Sequence, residues 1–221
     1  MPADRKERLL DLYERLYDAF GPRHWWPGDS AFEVVVGAIL TQNTAWRNVE
    51  KAIANLKDHG SLRADVLYDL PVAALADLIR PAGYYNMKAK RLKHFLAFLF
   101  QEAGGDLDRL FARDVDRLRG QLLGVHGIGP ETADSILLYA GNKPTFVVDA
   151  YTKRILFRHN LLPEEASYDE TRDFFMDCLE PDVAMFNEFH ALLVRLGHLY
   201  CRKSNPKCTE CPARGWNDGQ V

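Results

Sequence analysis

A glycine-rich loop and the helix start that follows it form the segment best suited to hold an anion. The stretch LLGVHGIGPETADSILLYAG places Gly124, Gly127 and Gly129 ahead of Pro130, a residue typical of a first helical turn. Glycine lets a partner approach the backbone closely, and the first amides of a helix have no acceptor within it. The segment predicts either a phosphate-binding hairpin between two helices or a tight helical corner with no ligand.

Cysteines form a second candidate site near the end of the sequence. Cys201, Cys208 and Cys211 stand in the spacing C-x6-C-x2-C, and Cys178 is the remaining one of the four cysteines. Clustering of this kind favours metal ligation over a disulfide framework. The sequence therefore predicts that these three thiols face a metal.

An aromatic pair and one aspartate are two further candidates for contact with a ligand. Trp25 and Trp26 stand side by side before Pro27, and two adjacent indoles would be costly in an exposed loop. Asp149 follows the apolar stretch FVV. The indoles could pack in the core or line a binding surface. Asp149 could cap the following helix, present its carboxylate to a ligand, or do both.

Helices must position all of these residues, because apolar side chains recur at helical spacing along nearly the whole chain. Gly21 and Pro22 end the first helical run, Asp29 and Ser30 can cap the second, and Asp114 can cap the helix before the glycine-rich loop. Only KPTFVVDAY is typical of an extended segment. The predicted fold class is all-α.

The length, composition and charge of the chain limit which functions are possible. The chain has 221 residues, 47% of them hydrophobic, which is enough for one or two domains with a core. A formal net charge of -3 argues against capture of nucleic acid by overall charge, but it allows a local basic face. No segment resembles a signal peptide, and no apolar run approaches the roughly 20 residues that span a bilayer. A cytosolic location is expected.

Taken together, these motifs resemble the endonuclease III superfamily of DNA glycosylases, which share a helix-hairpin-helix and a Gly/Pro-rich loop ending in aspartate. The resemblance extends from AILTQNTAWRNVEKAI through GYYNMKAKRLKHF and the hairpin segment to FHALLVRLGHLYCRKSNPKCTEC. It implies two helical lobes with a DNA-binding cleft between them. The central lobe would be 31–141, with the hairpin motif at about 115–140, and the second would be 1–30 plus 142–221.

The resemblance also implies the reaction. Cleavage of an N-glycosidic bond builds positive charge on the sugar, which the carboxylate of Asp149 can stabilise while it orients or deprotonates water. Bifunctional members carry a lysine in the hairpin-following helix, and its amine attacks the sugar. Glu131 occupies that position here and cannot form an imine, and neither Lys143 nor Lys153 matches the motif. A monofunctional glycosylase is therefore expected, with Asp149 and Glu131 as the catalytic-site residues.

The motif HWWPG, with ILTQNTAW and GIGPETAD, resembles the 3-methyladenine DNA glycosylase III branch. This resemblance places Trp25, Trp26, Pro27 and Trp46 in the base pocket, and it allows Gln42 to fill the gap left by a flipped nucleotide. A cationic alkylated purine stacks well between electron-rich indoles and is a good leaving group. The expected substrate is an alkylated purine such as 3-methyladenine.

The expected partner is double-stranded DNA that contains damaged bases, bound by a monomer without contact to a membrane. Basic residues lie close in sequence to the hairpin and the aspartate, which favours contacts to phosphate. A basic segment taken alone more often forms the solvent-exposed face of a helix. The predicted DNA-contacting residues are Gly124, His126, Gly127, Gly129, Thr132, Lys88, Arg91 and Lys153.

The cysteine spacing matches the first three ligands of the superfamily's [4Fe-4S] loop. A fourth would fall at Asn217, and no cysteine follows Cys211. The alternatives are a cluster with a non-cysteine fourth ligand, a cluster that uses Cys178, or a degenerate loop that binds zinc or nothing. A possible cluster with an incomplete cysteine set is the expectation.

Two other functions compete with the monofunctional alkylbase glycosylase. One is an endonuclease III-like bifunctional glycosylase and abasic lyase acting on oxidised pyrimidines, which Glu131 disfavours. The other is a non-catalytic DNA-binding protein that uses the hairpin to hold phosphates, which Asp149 and the paired tryptophans disfavour.

Overall fold

A computed structural model describes residues 2–216, with side chains from Asp4 onward. Within this range the chain has no β-strand, which confirms the all-α class. Its α-helices are α1 (Pro2–Phe20), α2 (Ala31–Leu40), α3 (Trp46–Asp58), α4 (Ala64–Asp69), α5 (Val72–Leu78), α6 (Tyr85–Ala103), α7 (Leu107–Phe111), α8 (Val115–Leu123), α9 (Pro130–Ser135), α10 (Ala150–Arg158), α11 (Tyr168–Met176) and α12 (Val183–Leu199). A π-helical turn, Ile136–Ala140, extends α9. Among the described helices none is long and apolar enough to cross a membrane.

The chain divides into two compact units. The continuous unit is Pro27–Lys143, and the discontinuous unit combines Met1–Trp26 with Pro144–Val221. The boundaries expected from the sequence, 31–141 for one lobe and 1–30 plus 142–221 for the other, fall a few residues from these.

Helix starts follow the capping residues of the sequence. The Ser30 hydroxyl accepts a hydrogen bond from the amide of Glu33 at 3.2 Å, and the Glu33 carboxylate accepts one from the amide of Asp29 at 3.1 Å. Asp114 caps α8 by accepting from two amides of its first turn. The helices α4, α7 and α11 are not among those predicted. With six and five residues, α4 and α7 are too short to show apolar periodicity, whereas α11 has nine residues and begins with a capping box formed by Ser167 and Glu170.

An aromatic cluster forms the core of the discontinuous unit around Phe146. Its ring stacks on Phe175 with centroids 3.8 Å apart, and the rings of Phe186 and Phe189 meet it edge-on. Val147 and Val148, the next residues, are also buried. The segment that leads to Asp149 is therefore anchored in the core by its apolar side chains, which contribute about 1.5–3 kcal/mol each when fully buried.

Candidate functional site

The glycine-rich loop joins α8 to α9 within the continuous unit. The first helix ends at Leu123 and the second begins at Pro130, as the sequence predicts. Gly127 has a φ of +92°, and a Cβ there would collide with the side chain of Arg91. This position requires glycine for its backbone conformation and for the close approach of Arg91. The helix-hairpin-helix motif is confirmed, and the first amides of α9 lie at the loop.

Gln42, at the end of α2, braces this hairpin. Its Nε2 donates to the carbonyl oxygen of Gly127 at 3.1 Å and to the hydroxyl of Thr132 at 2.8 Å. Its Oε1 accepts from Nη1 of Arg91. The side chain of Gln42 is thus occupied by the hairpin, and these contacts give no support to its expected place in the base pocket. The hydroxyl of Thr132, whose side chain is buried, likewise serves the brace, and contact of Thr132 with DNA stays a prediction.

Lys88 is a structural residue, which corrects its predicted role in phosphate contact. The side chain is 1% exposed. Its Nζ donates to the carbonyl oxygens of Leu40 at 2.7 Å and Ala82 at 2.8 Å, and to the hydroxyl of Thr44 at 2.5 Å. An ammonium buried and bonded in this way cannot reach a phosphate. It ties α6 to the end of α2 and therefore supports the turn that carries Gln42.

Replacement of Lys88 by methionine is expected to lower the free energy of unfolding by about 1–3 kcal/mol, because buried oxygen acceptors lose their donor. Burial, and to a lesser extent Arg91, lowers the pKa of Lys88 to about 8. At pH values between this lowered pKa and the ordinary lysine pKa of 10.5, residue 88 binds more protons in the unfolded chain than in the native one. The wild type should therefore gain stability over Lys88→Met as the pH rises through this window.

Urea denaturation of both proteins across that pH range measures the effect. Lys90→Met is the matched control, since Lys90 is exposed on the same helix. Equal destabilisation by the two substitutions would contradict the bracing role.

The other basic residues predicted to contact DNA differ in exposure and in their contacts within the protein. Arg91 lies across Gly127 and is half-buried, so its charge stays at the hairpin. His126 is exposed in the loop, and its carbonyl oxygen lies 3.1 Å from Nδ1 of His94, which donates to it when that nitrogen is protonated. Lys153 is half-buried in the first turn of α10. Contact of these three residues with phosphate stays a prediction.

Asp149 caps α10, and one of its oxygens is fixed by that role. Oδ1 accepts from the amide of Thr152 at 2.7 Å and from its hydroxyl at 2.9 Å. Oδ2 lies 3.8 Å from Nε2 of His190, and the carboxylate side chain keeps 13% exposure. The capping role predicted from the sequence is present, and the second oxygen is not used by the cap. Asp149 is thus a rigidly held carboxylate with one oxygen available for chemistry.

Glu131 is exposed in the first turn of α9, one residue after Pro130. An acidic side chain at this position is favourable to the helix dipole by about 0.3–1 kcal/mol. The sequence from 115 to 142 contains no lysine. The first turn of the helix that follows the hairpin therefore presents a carboxylate and no amine.

The predicted base-pocket residues fall in both units. Trp25 and Trp26, in the discontinuous unit, pack edge-to-face with centroids 5.5 Å apart, and both are half-buried. Pro27 and Trp46, in the continuous unit, line a cavity of about 280 Å³. Asp29, Glu33, Glu50 and Lys57 also line it, and Nζ of Lys57 pairs with the carboxylates of Asp29 at 2.7 Å and Glu33 at 2.8 Å. Trp46 thus faces an opening with an excess of acidic groups.

The three clustered cysteines line one cavity of about 280 Å³ in the discontinuous unit. Arg158 Nη1 donates to the Cys201 sulfur at 3.4 Å, and burial raises the pKa of the Cys211 thiol. Across residues 2–216, no three histidine, cysteine or acidic side chains converge on a site for a single metal ion. Cys178 is buried but does not line this cavity, and Asn217 lies outside the described residues.

The fold and site define a class: an all-α helix-hairpin-helix protein with an aspartate that caps a helix directly after an extended, buried segment. A family model for HhH-GPD superfamily base excision DNA repair proteins matches residues 36–181. The chain is 44% identical over 216 residues to the protein named "Putative DNA repair glycosylase MJ1434" of Methanocaldococcus jannaschii, and the match covers 97% of each. The chain therefore belongs to the HhH-GPD superfamily and is a DNA glycosylase of base excision repair.

Solved structures agree with this fold. The chain is similar to the 3-methyladenine DNA glycosylase MagIII of H. pylori bound to 1,N6-ethenoadenine, with a TM-score of 0.72 and 27% identity over 88% of this chain and 96% of that one. It is also similar in fold to an endonuclease III trapped as a covalent intermediate with DNA, with a TM-score of 0.79 and 20% identity, covering 94% of this chain and 92% of that one.

Proposed function

We propose that this protein is a monofunctional DNA glycosylase that hydrolyses the N-glycosidic bond of an alkylated purine, such as 3-methyladenine, in double-stranded DNA. The observation that carries the proposal is the exposed Glu131 in the first turn of α9, in a segment that has no lysine. A carboxylate cannot form an imine with the sugar. Water is then the nucleophile, and the product is an intact strand with an abasic site.

The hairpin supplies the phosphate contact in this proposal. The first amides of α9 and the positive end of its dipole favour an anion, and Gly127 lets the backbone approach it. Arg91 adds a fixed positive charge beside the same loop. Because Gln42 ties the loop to the end of α2, the amides are held in place before DNA arrives.

Asp149 carries the chemistry. As the C1′–N bond breaks, the base leaves with the electron pair and positive charge builds on the sugar. Oδ2 of Asp149 stabilises that charge and accepts the proton of the water that forms the new C1′–O bond. An alkylated purine is already cationic, so it departs as a neutral base and requires no acid to protonate it.

The preference for a cationic base is supported by the aromatic residues and by the charge around Trp46. Indoles attract a cation above their faces by about 0.5–2 kcal/mol. The cavity beside Trp46 is lined by three acidic residues and one lysine, so its lining stays net negative even though Lys57 pairs with Asp29 and Glu33, and this charge favours a cation. The 27% identity to a 3-methyladenine DNA glycosylase favours the same substrate class.

A panel of duplexes tests the substrate class. We expect release of free methylated purine from alkylated DNA, measured by chromatography, and at least tenfold slower release of oxidised pyrimidine. Preferential release of a neutral base, whether oxidised or deaminated, would contradict the cationic pocket. If no base is released from any duplex, the glycosylase assignment itself fails for this chain.

Borohydride trapping tests the absence of lyase chemistry. The wild type should give no covalent adduct with DNA containing an abasic site, because Glu131 supplies no amine. Glu131→Lys should give a detectable adduct, since residue 131 is exposed and tolerates the longer side chain. Glu131→Gln is the control for loss of the acid and should give none. An adduct with the wild type would overturn the monofunctional assignment.

We also propose that Cys201, Cys208 and Cys211 supply three ligands of a [4Fe-4S] cluster. Thiols spread around one cavity suit a polynuclear group better than a single ion, and Arg158 offsets negative charge at Cys201. Such a cluster would cross-link the 201–211 loop, and hydrolysis by Asp149 does not involve it. Iron and acid-labile sulfide should be present in the wild type and in Cys178→Ser and should be lost in Cys208→Ser.

A further inference from the structure

A histidine buried in the discontinuous unit faces the oxygen of Asp149 that the helix cap leaves available. His190 lies on α12 and is 5% exposed. Its Nε2 is 3.8 Å from Oδ2 of Asp149, while Oδ1 is held by the amide and hydroxyl of Thr152. The two oxygens of the carboxylate therefore have different neighbours: the cap on one side and an imidazole on the other.

Packing fixes the position of this imidazole. Gly197, two turns along α12, has no room for a Cβ because the ring of Tyr151 on α10 occupies that space. Phe186 and Phe189 pack against Phe146, three residues before Asp149. Since α12 is held both to α10 and to the segment before it, His190 and Asp149 cannot move apart without disrupting the core.

The imidazole is suited to donate a hydrogen bond to the carboxylate while carrying no charge of its own. Burial lowers the pKa of His190, and the smaller opposing effect of Asp149 does not reverse it. The ring is therefore neutral at physiological pH, and its Nε2–H tautomer presents a donor to Oδ2. A separation of 3.8 Å is longer than a hydrogen bond. Contacts of this kind often tighten when substrate binds.

We propose that His190 is a positioning residue for Asp149: its Nε2–H donates to Oδ2 in the complex with DNA and sets the orientation in which the carboxylate faces the sugar. This role rests on the proposed function, in which Asp149 is the catalytic carboxylate. It adds a second anchor to a side chain whose first anchor is Thr152. With both anchors in place, the carboxylate keeps the geometry that the transition state needs.

Base release from alkylated DNA under single-turnover conditions tests this role. His190→Leu removes the donor and should slow release about 10- to 100-fold, with affinity for abasic-site DNA unchanged. His190→Gln offers an amide donor and should recover most of the rate. His198→Leu, an exposed site on the same helix, is the control and should leave the rate unchanged. Equal losses for the leucine and glutamine variants, or no loss, would overturn the proposal.

NMR of isotope-labelled histidine in the free protein separates this inference from the proposed function. The wild type should show His190 as the Nε2–H tautomer, with a signal that shifts on Asp149→Asn and does not shift on Asp182→Asn, another helix cap of the same unit. This readout requires no activity. A wild type that releases no base but shows the shift would refute the function and retain the pairing. An Nδ1–H tautomer, or no shift on Asp149→Asn, would refute the pairing itself.

Discussion

Replacement of Asp149 by asparagine is expected to lower the rate of base release about 100- to 10,000-fold while the protein stays folded. The amide carries no negative charge to stabilise the sugar cation, and it cannot take a proton from water. Asparagine is as good an N-cap as aspartate, so the hydrogen bonds from Thr152 to residue 149 can be kept. The substitution therefore separates the catalytic role from the capping role.

Single-turnover base release and thermal unfolding measure the two effects. Asp182→Asn is the matched control because Asp182 caps α12 by accepting from the amide of Met185 at 3.0 Å. The same chemical change there should leave base release intact. If Asp149→Asn retains more than a tenth of the wild-type rate, Asp149 is a structural cap and another residue performs the chemistry.

Replacement of Asp134 by alanine is expected to lower the free energy of unfolding by about 3–5 kcal/mol. Asp134 lies in α9 with a side chain that is 0% exposed, and it forms a two-bond ion pair with Arg119 of α8. The guanidinium donates from Nε to Oδ1 at 2.9 Å and from Nη2 to Oδ2 at 3.1 Å. Removal of Asp134 deletes both of these bonds to a largely buried guanidinium, which costs far more than the loss of a surface pair.

This pair joins the two helices of the hairpin, so its loss should also weaken binding to DNA. Urea denaturation measures the stability, and Asp65→Ala is the control, because the pair of Asp65 with Arg63 is exposed on both sides. That control should change the free energy of unfolding by less than about 1 kcal/mol. Equal effects at the two positions would show that the buried pair contributes no more than the exposed one.

The fold and much of the candidate site could be predicted from the sequence, because they depend on short-range signals. Pro130 and Asp114 mark helix starts by local chemistry, and both are where the sequence places them. Gly127 could be recognised as a loop glycine. The collision that excludes any other residue there involves Arg91, which is far away in sequence, so its physical cause could not be read from the loop.

Lys88 shows why a basic run is a weak predictor of DNA contact. Lys88, Lys90, Arg91 and Lys93 look alike in sequence, but Lys88 is buried and Nζ of Lys93 donates to two carbonyl oxygens near the end of α4. Helical rotation turns neighbouring residues of one segment toward different surroundings. Which of them faces a carbonyl oxygen rather than solvent depends on the helices packed against α6.

The sequence alone determined the helical class, the hairpin, the absence of a lysine beside it and the identity of the aspartate that caps α10. These follow from residue types and spacings over a few turns of chain. Only the tertiary structure decided which side chains support them: Gln42 and Arg91 on the hairpin, Arg119 with Asp134, and His190 opposite Asp149. Most of these partners lie tens of residues apart in the chain, so their contacts arise from the packing of helices, which no local pattern records.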